Sequence, residues 1–213
     1  MTSLILQNPT LFLLWLAAVA LTLSVHEFAH AATAVTLGDE TPRRAGRLTL
    51  NPLAHADPLG SLMMVIAGFG WAKPVPFNPY NLRAKQWGPS FVGLAGPLSN
   101  LLLVLVFGTL NLVLLPRFGP GNLLIVFISF MVLASTGLFL FNLIPIPPLD
   151  GSKVLLAFLA SPQYARARFL LETRGPFLLL LLIILDNVLG VPIFGTLLGG
   201  PMAAVVRLFR LSF

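Results

Sequence analysis

Long uninterrupted apolar stretches make up most of the chain and predict membrane-spanning helices. The first covers about residues 8–37, the second about 89–115 and the third about 122–143. A helix crosses the hydrocarbon core of a bilayer with ~20 apolar residues, so each stretch is long enough to span it. Pro9 fits the first turn of a helix and Gly38 fits the residue that ends one, which sets the limits of the first span.

Three more helical segments are predicted in the C-terminal part of the chain. A short helix covers 152–160, a fourth span covers about 176–189 and a fifth covers about 191–213. The run Gly199-Gly200-Pro201 interrupts the last segment, so an interfacial helix is the alternative there. The pattern therefore predicts an all-α polytopic membrane protein with about five transmembrane helices.

Two segments between the first and second spans do not fit a full crossing. Residues 39–57 form the most polar stretch of the chain and predict a short hairpin or extended loop at the membrane surface. Residues 58–71 are apolar but too short for a span, which favours a re-entrant or interfacial segment. The stretch 71–79 that follows is too rich in proline to be helical.

The composition agrees with a protein embedded in the membrane. The 213 residues are 57% hydrophobic and only 9% charged, with a mean hydropathy of +0.92, whereas a soluble domain is ~25% charged. This length suits one membrane-embedded domain over residues 1–213. The lack of cysteine excludes disulfides and a thiolate metal site. No basic region precedes the first apolar run, so we expect no cleaved signal peptide.

The positive charges predict the orientation in the membrane. A net charge of +6 in such a chain indicates orientation rather than nucleic-acid binding. Arginines cluster soon after the first span, at Arg43, Arg44 and Arg47, and just before the fourth, at Arg166, Arg168 and Arg174. By the positive-inside rule these loops are cytoplasmic and the N-terminus lies outside. The oligomeric state stays open.

The charged and polar residues within the first span are the strongest indication of chemistry. His26 and His30 are four apart, so on a helix both imidazoles project from one face and can share a metal ion. Glu27 lies beside them and can take a proton from a water molecule. Burying a carboxylate and two imidazoles in a membrane segment is costly, which argues against an ordinary core role.

A catalytic zinc ion takes three protein ligands, so the two histidines need a partner. The candidates are Asp150, His55 and Asp57. Asp150 is favoured because it follows an apolar segment broken by three prolines, at the same depth as the histidines if the spans alternate in direction. Capping of the following helix is the structural alternative for Asp150. The ligands then lie toward the cytoplasmic side.

The motifs resemble those of the site-2 protease family of intramembrane zinc metalloproteases. The resemblance rests on His26-Glu27-Phe28-Ala29-His30, on Ala95-Gly96-Pro97-Leu98-Ser99-Asn100 and on the stretch from Asn142 to Gly151, in the family order. It covers nearly the whole chain and is closest to the minimal prokaryotic subgroup without PDZ or CBS domains. It implies zinc ligation by His26, His30 and Asp150, with Glu27 as the catalytic base. It also implies that Asn100 and Asn142 bind substrate or the oxyanion; a hydrogen bond between helices is the structural alternative for Asn100.

The function expected from these observations is cleavage of peptide bonds in or near transmembrane segments of other membrane proteins. The protein would lie in a prokaryotic cell membrane, with the lipid bilayer and a transmembrane substrate as its partners. An exposed strand edge within 46–78 could pair with an unwound substrate. The alternatives are a zinc transporter, or a pseudoprotease that binds membrane proteins without cutting them.

Overall fold

The computed structural model describes residues 8–67 and 70–212 and is helical in most of that range. In chain order the helices are α1 (Pro9–Thr36), α2 (Thr41–Arg44), α3 (Pro52–His55), α4 (Pro58–Ala67), α5 (Gly88–Phe118), α6 (Leu123–Asn142), α7 (Asp150–Phe158), α8 (Ala165–Asn187) and α9 (Ile193–Leu208). Short 3₁₀ turns lie at Pro79–Asn81 and Pro162–Tyr164. These residues contain no β-strand, which confirms the predicted all-α fold.

Three helices, α1, α5 and α6, are long and apolar enough to cross a membrane. They have 28, 31 and 20 residues, and their limits agree with the predicted spans to within three residues. The side chain of Asn8 accepts a hydrogen bond from the Leu11 N–H and so caps α1. Gly38 follows the end of α1 with a φ of +107°, a conformation that a side chain would strain.

These three long helices pack against one another and form the core of the protein. Ala18 of α1 packs with Val126, Phe130 and Met131 of α6 in one apolar cluster. One helical turn beyond Ala18, the hydroxyls of Thr22 and Ser135 lie 3.3 Å apart and link the same two helices. Small side chains and interhelical hydrogen bonds of this kind allow helices to associate where water is absent.

The C-terminal helices differ from the predicted spans. The helix at the predicted fourth span begins at Ala165 and so includes the arginines at 166, 168 and 174. It is not among the candidate spans, and α9 has 16 residues, short for a crossing. The count of five transmembrane helices therefore stays a prediction. The segment α4 has 10 residues, and residues 68–69 of the predicted re-entrant stretch lie outside the described range.

Of the two alternatives predicted for 39–57, a short hairpin or an extended loop, the hairpin is wrong. This stretch forms the two short helices α2 and α3 joined by a loop. Pro42 is the second residue of α2 and Pro52 the first of α3, positions where a fixed φ favours helical geometry, and the Asn51 side chain caps α3. The only strand-like pairing in the described ranges is an isolated antiparallel bridge between Ala56 and Ala72.

Candidate metal centre

Two helices bring the predicted metal ligands together. His26 and His30 lie one turn apart on α1, and Asp150 is the first residue of α7. The two Nε2 atoms are 3.0 Å apart, and Asp150 Oδ2 lies 3.1 Å from His26 Nε2 and 3.2 Å from His30 Nε2. All three side chains are buried, at 3–7% exposed. No other group of histidines and carboxylates with metal-ligand spacing occurs within the described residues.

The orientation of His30 is fixed by the backbone of α5. Its Nδ1 lies 2.6 Å from the carbonyl oxygen of Val92, which can only accept a hydrogen bond. A neutral ring therefore carries its proton on Nδ1 and presents a lone pair at Nε2, toward His26 and Asp150. This is the arrangement that metal-binding histidines require, with one nitrogen tied to an acceptor and the other left for the ion.

The two imidazoles fit beside α5 because residue 96 has no side chain. A Cβ built on Gly96 would come within 2.6 Å of His26 Cε1 and would also overlap the His30 ring. Any other amino acid at this position would displace at least one histidine. The space left by Gly96 therefore brings α1 and α5 close enough to form the site.

The carboxylate of Asp150 is held by a basic side chain that the sequence motifs did not single out. Lys153 lies one turn along α7 and its Nζ is 2.8 Å from Asp150 Oδ1. This ion pair occupies one carboxylate oxygen and turns the other, Oδ2, toward the histidines. The Lys153 ammonium also lies 5.6 Å from the centre of the Phe77 ring. The spacing Asp-x-x-Lys at a predicted helix start was the available indication of this pair.

A cavity of about 440 Å³ opens beside these three side chains. Glu27 and Asn142 line it, and the Nδ2 of Asn142 donates to the carbonyl oxygen of Leu138 at 3.1 Å. One wall comes from an extended segment that we call the strap, residues 70–78. The strap is tied at Lys73, whose N–H donates to the His55 carbonyl oxygen at 2.8 Å, and at Asn78, whose N–H donates to Asp39 at 2.6 Å.

The three atoms that converge here fit a zinc ion. Zinc is bound at ~2.0–2.2 Å by imidazole nitrogen and carboxylate oxygen in tetrahedral sites, so ligand atoms lie roughly 3.3–3.6 Å apart. The measured separations of 3.0–3.2 Å are slightly smaller than this. When both Nε2 atoms are unprotonated, two nitrogen lone pairs and one carboxylate oxygen face a common point and repel one another, and a cation relieves that repulsion.

The other sequence candidates lie elsewhere. His55 is buried and its Nε2 is 2.8 Å from the Thr49 carbonyl oxygen, so its ring contacts the backbone of its own loop and not the metal cluster. Asp57 accepts a hydrogen bond from the Gly60 N–H and caps α4. Asn100 is buried behind His26, with its Nδ2 2.9 Å from His26 Nδ1, and is absent from the cavity wall. The structure thus groups only Asp150 with the two histidines.

Known proteins are similar to this chain in sequence. The family model described as peptidase family M50 matches residues 120–182, which include Asp150. The chain is 35% identical over 196 residues to the putative zinc metalloprotease YwhC of Bacillus subtilis, covering 89% of this chain and 88% of that protein. The chain belongs to peptidase family M50. It is therefore a metalloprotease of the site-2 type, and the predicted family and enzyme class are confirmed.

Two further relatives extend the comparison. The putative zinc metalloprotease Rip2 of Mycolicibacterium smegmatis is 37% identical over 163 residues, which are 73% of this chain and 61% of Rip2. The putative zinc metalloprotease MJ0611 of Methanocaldococcus jannaschii is 32% identical over 144 residues, 68% of this chain and 70% of that protein. No solved structure matches the chain. The names of these relatives and the side-chain cluster both support the predicted zinc cofactor.

Proposed function

We propose that this M50 metalloprotease is an intramembrane zinc endopeptidase that hydrolyses peptide bonds in or near the transmembrane segments of other membrane proteins. The observation that carries the proposal is the depth of the site. His26, Glu27 and His30 are buried within α1, a helix long and apolar enough to span the bilayer. A substrate bond that reaches these side chains must enter the membrane region of the protein.

His26, His30 and Asp150 would hold the zinc ion, and Glu27 would move protons beside it. When bound, zinc supplies a Lewis acid that polarises the scissile carbonyl and makes water more acidic. Glu27 follows His26 directly and lines the cavity, so it would face a bound substrate and the attacking water. It would accept a proton as the water oxygen bonds to the carbonyl carbon, and return it to the amide nitrogen as the C–N bond breaks. The products are a carboxylate and an amine.

The strap would bind the substrate in an extended form. An α-helix conceals its peptide bonds, so a transmembrane substrate must unwind before it is cut. The strap is extended, lines the cavity and already takes part in one β-type bridge through Ala72. Its backbone would hydrogen-bond the unwound segment as an added strand. Asn142, at the cavity wall, would contact the same segment.

Exchange of Glu27 for glutamine tests the catalytic role. The amide keeps the size of the side chain but cannot act as a base, so cleavage of a model transmembrane substrate in detergent should fall by ~10²–10⁴-fold. Zinc stoichiometry should stay at one per chain, because Glu27 is not in the ligand cluster.

The control is His26→Ala, which should lose both zinc and cleavage. Unchanged cleavage by Glu27→Gln would overturn the mechanism, and zinc loss on that change would make Glu27 a ligand. A wild-type protein that holds zinc, binds the substrate and leaves it intact would instead be a pseudoprotease. Zinc movement across vesicle membranes without cleavage would indicate a transporter.

The orientation is a second part of the proposal. The arginines of α2 and of α8 would lie in the cytoplasm, which places the N-terminus outside and the cavity toward the cytoplasmic side. The bacterial and archaeal origin of the relatives supports a prokaryotic cell membrane. Because the chain has no cysteine, a single cysteine at the exposed position Ala45 can be labelled selectively.

A membrane-impermeant maleimide should label Ala45→Cys only after the cells are opened. A cysteine at Gly121, in the turn between α5 and α6, should react in intact cells and serves as the matched control. The reverse pattern of labelling would contradict the orientation.

A further inference from the structure

The second ring nitrogen of His26 faces a side chain of α5. His26 Nδ1 lies 2.9 Å from the amide end of Asn100. Asn100 is one helical turn beyond Gly96, so the same face of α5 gives the imidazoles both their space and this polar contact. Asn100 is 0% exposed and does not line the cavity. Its side chain therefore touches a metal ligand from behind, away from the place where substrate enters.

The chemistry of metal binding decides which end of the amide faces His26. If Nε2 of His26 presents its lone pair to an ion, the neutral ring carries its proton on Nδ1 and that N–H must donate. The amide N–H₂ of Asn100 cannot accept a hydrogen bond, whereas the amide oxygen can. The two ends have the same shape and can exchange places by a rotation about the last side-chain bond. The end turned away from His26 has no partner among the described residues, so the bond to His26 decides the orientation.

We infer that Asn100 is a positioning residue, whose side-chain oxygen accepts the His26 Nδ1 hydrogen and holds the ring in the metal-binding tautomer. The inference rests on the proposed zinc site. The substrate-binding role that the family resemblance implies for Asn100 is a different one, because a buried side chain behind a ligand acts through that ligand. His30 is oriented in the same way by the backbone oxygen of Val92, which no substitution removes. The His26 contact is thus the one that mutation can test.

Two substitutions of Asn100 give opposite expectations. Asn100→Leu fills the space but offers no acceptor to His26 Nδ1. Loss of a hydrogen-bond partner of a metal-binding histidine costs about 10–100-fold in metal affinity, so the zinc dissociation constant should rise by that factor. Asn100→Asp keeps the shape and can only accept, as in carboxylate–histidine–zinc arrangements, so it should hold zinc within about tenfold of the wild type. If the amide instead donated to His26, the aspartate would repel the ring and lose zinc.

Asn111 offers the matched control. It lies on the same helix, is also 0% exposed and has an amide end without a partner in the described range, but its Nδ2 donates to the Phe209 carbonyl oxygen at 2.9 Å. Asn111→Leu removes a buried amide of the same size from α5 at a distance from the site. It should lower thermal stability and leave zinc affinity within about twofold, since distant sites behave independently.

The experiment measures zinc affinity of the purified full chain in detergent by competition with a chromophoric chelator, with thermal unfolding as the check of fold. Loss of affinity in Asn100→Leu, retention in Asn100→Asp and retention in Asn111→Leu support the inference. Equal affinities of the two leucine variants would overturn it, and so would zinc loss in a folded Asn100→Asp protein. Because no substrate is used, wild-type protein that binds zinc but fails to cleave would refute the proposed function and leave this inference standing.

Discussion

Asp39 and Asp150 are both buried aspartates near the ends of helices, but their oxygens face opposite kinds of atoms. Asp39 lies three residues beyond the end of α1 and is 0% exposed. Its carboxylate accepts hydrogen bonds from the backbone N–H and hydroxyl of Thr41, from the Asn78 N–H and from the Asn81 amide, at 2.6–3.1 Å. Four donors satisfy the charge, and Asp39 belongs to no cluster of metal-ligand groups within the described residues.

Asp150 has only one such donor. Lys153 donates to Oδ1, while Oδ2 faces two imidazole nitrogens. The Val92 carbonyl oxygen holds the proton of a neutral His30 ring on Nδ1, so His30 Nε2, which faces Oδ2, is an acceptor. With His26 Nε2 also unprotonated, three acceptors converge on one point and call for a cation. Burial of a carboxylate therefore does not distinguish a structural aspartate from a metal ligand. The distinction lies in whether the atoms that face its oxygens are hydrogen-bond donors or acceptors.

The strongest test of this contrast is the same substitution at both positions. Asp150→Asn removes a ligand charge and should weaken zinc binding by at least about 100-fold, more than the loss of an indirect partner would. Asp39→Asn should leave zinc affinity within about threefold, because Asp39 does not touch the ligands. The measurement is the zinc dissociation constant of each purified variant by chelator competition.

Equal zinc affinities for Asp150→Asn and wild type would remove Asp150 from the ligand set. A His55→Ala variant belongs in the same series, since His55 was the rival ligand on sequence grounds. Its ring contacts the Thr49 carbonyl oxygen outside the cluster, so it should keep full zinc content.

Much of the site could be predicted because its chemistry is expensive in an apolar chain. Polar residues in a membrane span stand out, and the spacing of His26 and His30 places them on one helical face. Asp150 stood out for the same reason, after a segment broken by prolines. Asp39 did not, since a charged residue in a polar loop is ordinary in sequence. Its burial depends on Asn78 and Asn81, about forty positions away.

The parts that sequence could not supply are contacts between distant positions. The bond between Asn100 and His26 joins residues 74 apart, and the space over Gly96 exists only once α1 and α5 are packed. The long helices were predicted because length and hydropathy decide them locally. The stretch 39–57 was predicted as a hairpin or an extended loop, whereas its prolines at positions 42 and 52 favour the first turns of two short helices.

A smaller effect is expected in stability, where the contrast reverses. Asp39→Asn keeps one oxygen to accept from Thr41 and Asn81 but places its amide N–H₂ opposite the Asn78 N–H, so that bond and the negative charge are lost. Hydrogen bonds to a charged group contribute about 1.5–3 kcal/mol each, and partial loss should lower the free energy of unfolding by about 1–3 kcal/mol. Thermal unfolding in detergent and zinc-free buffer measures this loss, with Asp150→Asn unfolded under the same conditions for comparison. If Asp39→Asn were as stable as the wild type, the hydrogen bonds accepted by Asp39 would contribute nothing to stability at the end of α1.

The smallest effect is in the pH dependence of that stability. Burial alone would raise the pKa of the Asp39 carboxyl, but hydrogen bonds from the Thr41 hydroxyl, the Asn81 amide and the N–H groups of Asn78 and Thr41 lower that pKa below its ordinary value. The folded protein therefore binds this proton less readily than the unfolded chain. The stabilisation is complete above the unfolded pKa, ~3.9, and is lost as the pH falls through the folded pKa. The measurement compares the Asp150→Asn protein with the double variant Asp39→Asn, Asp150→Asn, so that zinc release contributes to neither. Between pH 6 and pH 3 the protein that keeps Asp39 should lose more thermal stability than the double variant. Parallel pH profiles would show that Asp39 is not held as the anion, and the distinction between the two aspartates would then rest on zinc affinity alone.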